Sequence, residues 1–255
     1  MSGPAHAHAL FVHGHSAVHG IPAHVKLIAL VVFITAVVLT PRDAFWAFAV
    51  LALLLGVGVV AAELPMKLVA RRMLVEVPFV LFAVALPFLG GGERVDVLGI
   101  ALSEEGLWAA WTILAKATLG VGASVLLSAT TEVPQILAGM QRLRVPRVLT
   151  AITGFMVRYL DVITGELSRR RIAMASRGHE ARWLWQGESL AASAASLFVR
   201  SYERGERVHH AMVARGYSGE MPTTTPTQPV DPAQWIRGLG VSMAALAVAV
   251  VAVIL

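Results

Sequence analysis

Cysteine is absent from the chain, which excludes disulfides and thiolate-held metals outright. Charge is scarce too. Charged residues make up 15% of the 255 and hydrophobic ones 56%, with a mean hydropathy of +0.69. That is too apolar for an ordinary soluble domain of this length, so a polytopic membrane protein is expected. Signature motifs are also missing: no Gly-x-x-x-x-Gly-Lys-[Ser/Thr] loop, no Gly-x-Gly-x-x-Gly and no Gly-x-Ser-x-Gly elbow occurs. Hydrolysis of ATP by this chain itself is therefore not expected, and no nucleophile, base and metal constellation points to a membrane enzyme. The apolar segments carry no line of carboxylates or histidines suited to a cation relay, which argues against a stand-alone permease or channel. No short apolar core with a small-residue cleavage site follows the start, so no cleaved signal peptide is expected.

The apolar residues fall into runs. Residues 23–40 are long enough to cross a bilayer, with Lys26 at one end, where it is expected to snorkel to the interface. Pro41-Arg42-Asp43 makes a tight turn, and residues 44–62 cross back with Trp46 near the boundary. Lys67, Arg71 and Arg72 lie in what reads as a basic loop, before a third span over residues 73–89 kinked by Pro78 and Pro87. An acidic loop follows, holding Glu93, Asp96, Glu104 and Glu105, with Ser103 placed as an N-cap. The fourth span covers residues 107–130 and carries the small residues Gly120, Gly122, Ala123 and Ser124, which permit close helix packing. Lys116 lies well inside it, and Glu76 at the edge of the third span is a candidate partner for this intramembrane charge.

The net charge of +5 and a pI near 10.2 raise the question of nucleic acid. In a membrane protein, however, basic residues gather on the cytoplasmic side. Residues 131–234 hold 13 of the 21 Lys and Arg, all 13 of them arginine. By this bias the N-terminus and the region over 131–220 are cytoplasmic. The arginines are interleaved with Glu166, Glu180, Glu188, Glu203 and Glu206, which dilutes the field that phosphate binding needs. No nucleic-acid partner is expected. Val148, Ile152, Phe155, Tyr159 and Ile163 recur at helical spacing opposite Gly154, Arg158, Asp161 and Gly165. That segment reads as amphipathic and too polar to span. A proline-rich linker covers residues 221–234, and 235–255 form a fifth span, anchored by Trp235 and Arg237.

One phrase occurs twice in the basic region: Ala173-Met174-Ala175-Ser176-Arg177-Gly178 and Ala211-Met212-Val213-Ala214-Arg215-Gly216. An arginine in a last helical turn complements the negative end of the helix dipole, and a glycine beyond it takes the left-handed conformation that stops the helix. Two matched arginine tips suit a partner with two equivalent sockets, such as a dimer. The first 22 residues form a histidine-rich tail, in which His6, His8, His13 and His15 offer weak metal affinity without the spacing of a closed tetrahedral site.

These residues resemble a known family. The paired Arg-Gly tips, the helical region ahead of a last span and the opening Val18-His19-Gly20-Ile21-Pro22-Ala23-His24-Val25-Lys26-Leu27 are similar to the transmembrane T component of energy-coupling factor transporters, in its CbiQ-like cobalt branch. The stretches over residues 113–120 and 198–207 share the likeness, which covers nearly the whole chain. It implies an all-α fold with about five transmembrane helices and a cytoplasmic helical coupling domain. It implies that Ser176-Arg177-Gly178 and Ala214-Arg215-Gly216 end coupling helices that dock in grooves of an ATP-binding-cassette dimer. The first tip departs from the family's Ala-Arg-Gly by a serine. The resemblance further implies a non-catalytic subunit in the inner membrane, partnered by two ATPase subunits that hold ATP and magnesium, and by a substrate-specific membrane subunit that takes the cargo. Cobalt is the implied cargo; nickel or a vitamin is the alternative.

Overall fold

The computed structural model describes residues 11–14, 16–91, 94–97, 100–176, 178, 187–219 and 231–254. The helices are α1 (Ala23–Leu39), α2 (Phe45–Ala61), α3 (Met66–Met73), α4 (Val77–Leu89), α5 (Glu104–Thr130), α6 (Val133–Arg142), α7 (Arg147–Ser176), α8 (Gly187–Ala214) and α9 (Pro232–Ile254). A 3-10 turn over Leu74–Glu76 joins α3 to α4. The chain is an all-α polytopic membrane protein. Among the described residues, four stretches are long and apolar enough to cross a bilayer: Met66–Leu89, Glu104–Thr130, Arg147–Ser176 and Pro232–Ile254. Helices α1 and α2 are apolar but have only 17 residues each, a length of about 26 Å against a hydrocarbon core of about 30 Å.

Two compact units divide the described elements. One holds α1 to α5, α6 as far as Gly139, and α9; the other holds α7 and α8. In the first, α1 packs chiefly on α9, so the first and last apolar helices are neighbours. Its core joins Phe33, Ala36 and Val37 of α1, Phe48 and Leu51 of α2, Leu119 and Ala123 of α5, and Ala245 and Ala249 of α9. Small residues on α5 and α9 let each of these helices pack closely on α1 and α2 in a medium where lipid offers no hydrophobic drive for association. A second cluster, Val59, Ala62, Leu64, Val69, Val125 and Ala129, ties α3 to α2 and α5. Of the small residues expected to pack, Gly122 and Ala123 are buried, whereas Ser124 is exposed.

Several expectations need correction. Lys67, Arg71 and Arg72 lie on helix α3 and not in a loop; charge placement reports the side of the membrane, and says nothing against helicity in residues that favour it. Pro78 stands in the first turn of α4, where a missing N–H costs nothing, and the Leu74 carbonyl it leaves open takes the N–H of Val77. The acidic loop holds a short hairpin, β1 (Arg94–Val97) antiparallel to β2 (Ile100–Ser103), with Arg94 opposite Ser103. Ser103 does cap α5: its hydroxyl accepts the Gly106 N–H at 3.1 Å and donates to the Gly91 carbonyl at 2.7 Å.

Lys26 does not snorkel. It is 7% exposed, and its Nζ donates to the Thr130 carbonyl at 2.8 Å and to the Thr131 hydroxyl at 3.2 Å, at the end of α5. The described part of the tail is packed beside it. The Val12 N–H donates to the Ala129 carbonyl at 2.9 Å, and the His19 ring bridges the Val12 carbonyl (3.0 Å) and the Ser16 hydroxyl (2.7 Å).

In the second unit, α7 is one unbroken helix of 30 residues. The helix meets the length and composition of a membrane span, against the expectation that it is too polar. The expected polar face supplies only Arg158 and Asp161 as charges, and its glycines are neutral. The pair α7 and α8 is joined by an ion pair between Glu166 and Arg204 and by a bond from Arg170 to Ser196 at 3.2 Å.

Candidate functional site

Each repeated phrase closes a helix in the second unit. Gly216 has φ +85°, and Gly178 has φ +74°. At the second tip the Gly216 N–H donates to the Val213 carbonyl (2.9 Å) and the Tyr217 N–H to the Met212 carbonyl (3.0 Å). This pair of bonds is the Schellman closure, which satisfies carbonyls that the helix end leaves open. The Gly178 N–H makes the corresponding bond to the Ala175 carbonyl at 3.0 Å. No atom would obstruct a Cβ on either glycine; the left-handed φ alone requires glycine there.

The cap at Gly216 turns the chain sharply, so Arg215 stands at the helix tip. Ser176, Ala214 and Arg215 are exposed; Arg177 lies outside the described residues. The contacts from Glu166 to Arg204 and from Arg170 to Ser196 run in opposite chain directions, so the two tips point away from each other along the pair. From helix rise alone they stand roughly 30 Å or more apart. Each tip bears an arginine in the sequence, and an exposed helix end of this kind is suited to entering a recess on a partner. Arginine offers a planar fork for bidentate bonds to carboxylates, which a lysine cannot reproduce.

The intramembrane pair expected between Lys116 and Glu76 is not formed. The Lys116 Nζ donates to the Val38 carbonyl at 2.7 Å, while Glu76, 5% exposed, accepts from the Thr118 hydroxyl at 2.6 Å. Residues 116 and 118 leave a helix about 200° apart, so one faces α1 and the other the bend before α4. Val38 lies in the last turn of α1, where carbonyls lack intrahelical partners, and Lys116 serves as a cap from a neighbouring helix.

His6, His8 and His15 lie outside the described residues. His13 is exposed, and no group of three or more His, Asp or Glu side chains placed to hold a metal occurs among the described residues. Sequence reasoning missed the cluster of Lys26, Thr130, Thr131 and His19. Its only signal was a lysine in the first turn of an otherwise apolar helix, with two threonines at the end of another.

A polytopic helical membrane subunit with paired, glycine-closed arginine tips and no catalytic constellation in its sequence is the class these features define. Comparison with known proteins narrows it. Residues 14–226 match the family described as cobalt transport protein, CbiQ. The chain is 29% identical over 223 residues to the energy-coupling factor transporter transmembrane protein EcfT of Bacillus selenitireducens, covering 82% of each chain. It is 30% identical over 142 residues to the cobalt transport protein CbiQ of Rhodobacter capsulatus, covering 53% of this chain and 58% of that one. An uncharacterized protein of Methanocaldococcus jannaschii is 27% identical over 215 residues, 79% of this chain and 71% of its own. The chain belongs to the CbiQ family of cobalt transport proteins.

Proposed function

We propose that this chain is the transmembrane component of an energy-coupling factor importer, carrying motion from an ATPase dimer to a separate substrate-binding membrane subunit. The observation that carries the reading is the matched pair of tips: two exposed helix ends, each closed by a glycine at positive φ and bearing Arg in the sequence frame Ser/Ala-Arg-Gly. The long helices α7 and α8 serve as levers between those tips and the membrane. ATP and magnesium belong to the partner subunits. When the ATPase dimer closes, its grooves draw Arg177 and Arg215 with their helices, and the tilt of the helical pair reorients the cargo-bearing subunit. The chain lies in the inner membrane with its N-terminus and tips on the cytoplasmic side, as the arginine bias supports.

Cobalt is the cargo that the family description and the Rhodobacter relative's name support. Recognition of the ion falls to the other membrane subunit. Purification of the solubilised chain from its native membrane tests the assembly. Co-purification of a pair of nucleotide-binding subunits is expected, and an intact chain that emerges without them contradicts the reading. Uptake of cobalt against nickel by the reconstituted assembly tests the cargo: cobalt is expected to be preferred, and a preference for nickel reassigns it.

A further inference from the structure

A cleft of about 130 Å³ opens among α1, α2, α5 and α9. Its walls are apolar along most of their length, from Phe33 and Leu30 of α1 to Leu54 and Leu55 of α2 and Leu126 of α5. The charged lining is confined to one end. Lys26 stands in the first turn of α1, Thr130 is the last residue of α5, and Arg237 lies near the start of α9. Among the described residues no carboxylate lines the cleft. The nearest acids in sequence, Glu132 and Asp231, lie outside it, and Asp231 caps the Ala233 N–H at 3.2 Å.

The chemistry of that end is unbalanced. Lys26 is almost wholly buried, yet the acceptors it reaches are two carbonyls and a hydroxyl, all neutral. A cation held in a low-dielectric setting by neutral acceptors alone draws an anion to its side. Arg237, on the α9 helix that packs on α1, adds a second positive charge to the lining. Ser242, 4% exposed, lines the cleft five residues further along α9, about 7 Å deeper by helix rise. Headgroup charge at the mouth, a hydroxyl at the depth of an ester and an apolar slot beyond form the complement of one molecule.

We propose that this cleft binds an anionic phospholipid, with the phosphate between Lys26 and Arg237 and the upper part of one acyl chain against Leu30, Phe33, Leu54 and Leu126. The two basic residues stand at the same end of the bundle as the N-termini of α1 and α9, so the lipid comes from the leaflet on that side. A juxtamembrane cation adds about five-fold to the affinity for an anionic lipid.

The full chain, purified in detergent with whatever subunits accompany it, is incubated with equimolar phosphatidylglycerol and phosphatidylcholine, and retained lipid is read by native mass spectrometry. The wild type is expected to retain phosphatidylglycerol several-fold over phosphatidylcholine. Arg237→Gln alters an exposed side chain and is expected to reduce that ratio about five-fold. Ala29→Phe, which fills the slot, is expected to lower retention of both lipids. Equal retention of the two lipids by the wild type overturns the proposal, as does an unchanged ratio in Arg237→Gln. Should either variant fail to insert, the wild-type ratio and the other variant decide.

Discussion

Lys116 shows how burial context assigns a role to a charged residue. A lysine in the middle of a transmembrane helix invites an ion-pathway reading, but its Nζ is spent on the Val38 carbonyl at the end of α1. Removing it leaves that carbonyl without a partner, at a cost of about 1–3 kcal/mol. Lys116→Met is therefore expected to lower the thermal midpoint of the purified protein while uptake per folded molecule persists. Lost uptake with an unchanged midpoint contradicts a capping role. Gly178 and Gly216 carry the same lesson, since nothing crowds either position and the constraint lies wholly in the backbone. Both were legible in the sequence because a terminal Arg-Gly after a helical run has one economical conformation. The separate fates of Lys116 and Glu76 were not legible, because proximity along the membrane normal does not report which way each side chain leaves its helix.

At the scale of elements, the α7 and α8 pair depends on few polar ties. Glu166 and Arg204 form the main one, partly open to solvent, and such a pair contributes at most about 1 kcal/mol. The exposed pair of Glu203 and Arg207, 3.9 Å apart, lies within α8 and ties nothing to α7. Glu166→Gln and Arg204→Gln are each expected to speed limited proteolysis of the pair, and the reversal Glu166→Arg with Arg204→Glu to restore resistance. Single variants as resistant as the wild type rule out a lever held by this tie. The tail gives a second prediction. Deleting residues 1–10 removes His6 and His8 but none of the contacts of Val12, Ser16 and His19, so thermal stability and low-metal uptake are expected to be unchanged. Deleting residues 1–17 also removes Val12 and Ser16, and a lower thermal midpoint is expected. A fall in low-metal uptake in the shorter deletion contradicts a tail without a metal role. The apolar runs and the Ser103 cap could be read from periodicity and capping chemistry. Helix α3, the hairpin β1 and β2, and the packed residues near Val12 could not. The packed residues near Val12 are set by a partner distant in sequence, Ala129, which local propensity does not encode; α3 and the hairpin were hidden because a run of charges and acids reads as loop whatever its backbone does.

For the molecule as a whole, the functional claim is that chemistry and motion are divided between chains. This one offers two arginine tips on long helices and, among its described residues, an apolar bundle joined by small-residue packing; the proposed function assigns hydrolysis and cargo recognition to partner chains. The measurement that bears most directly on this division is metal uptake by the reconstituted complex carrying Arg177→Ala together with Arg215→Ala, with membrane insertion and expression verified. Loss of uptake with ATP hydrolysis still running is the predicted result. Uptake at the wild-type rate in that double variant contradicts the account.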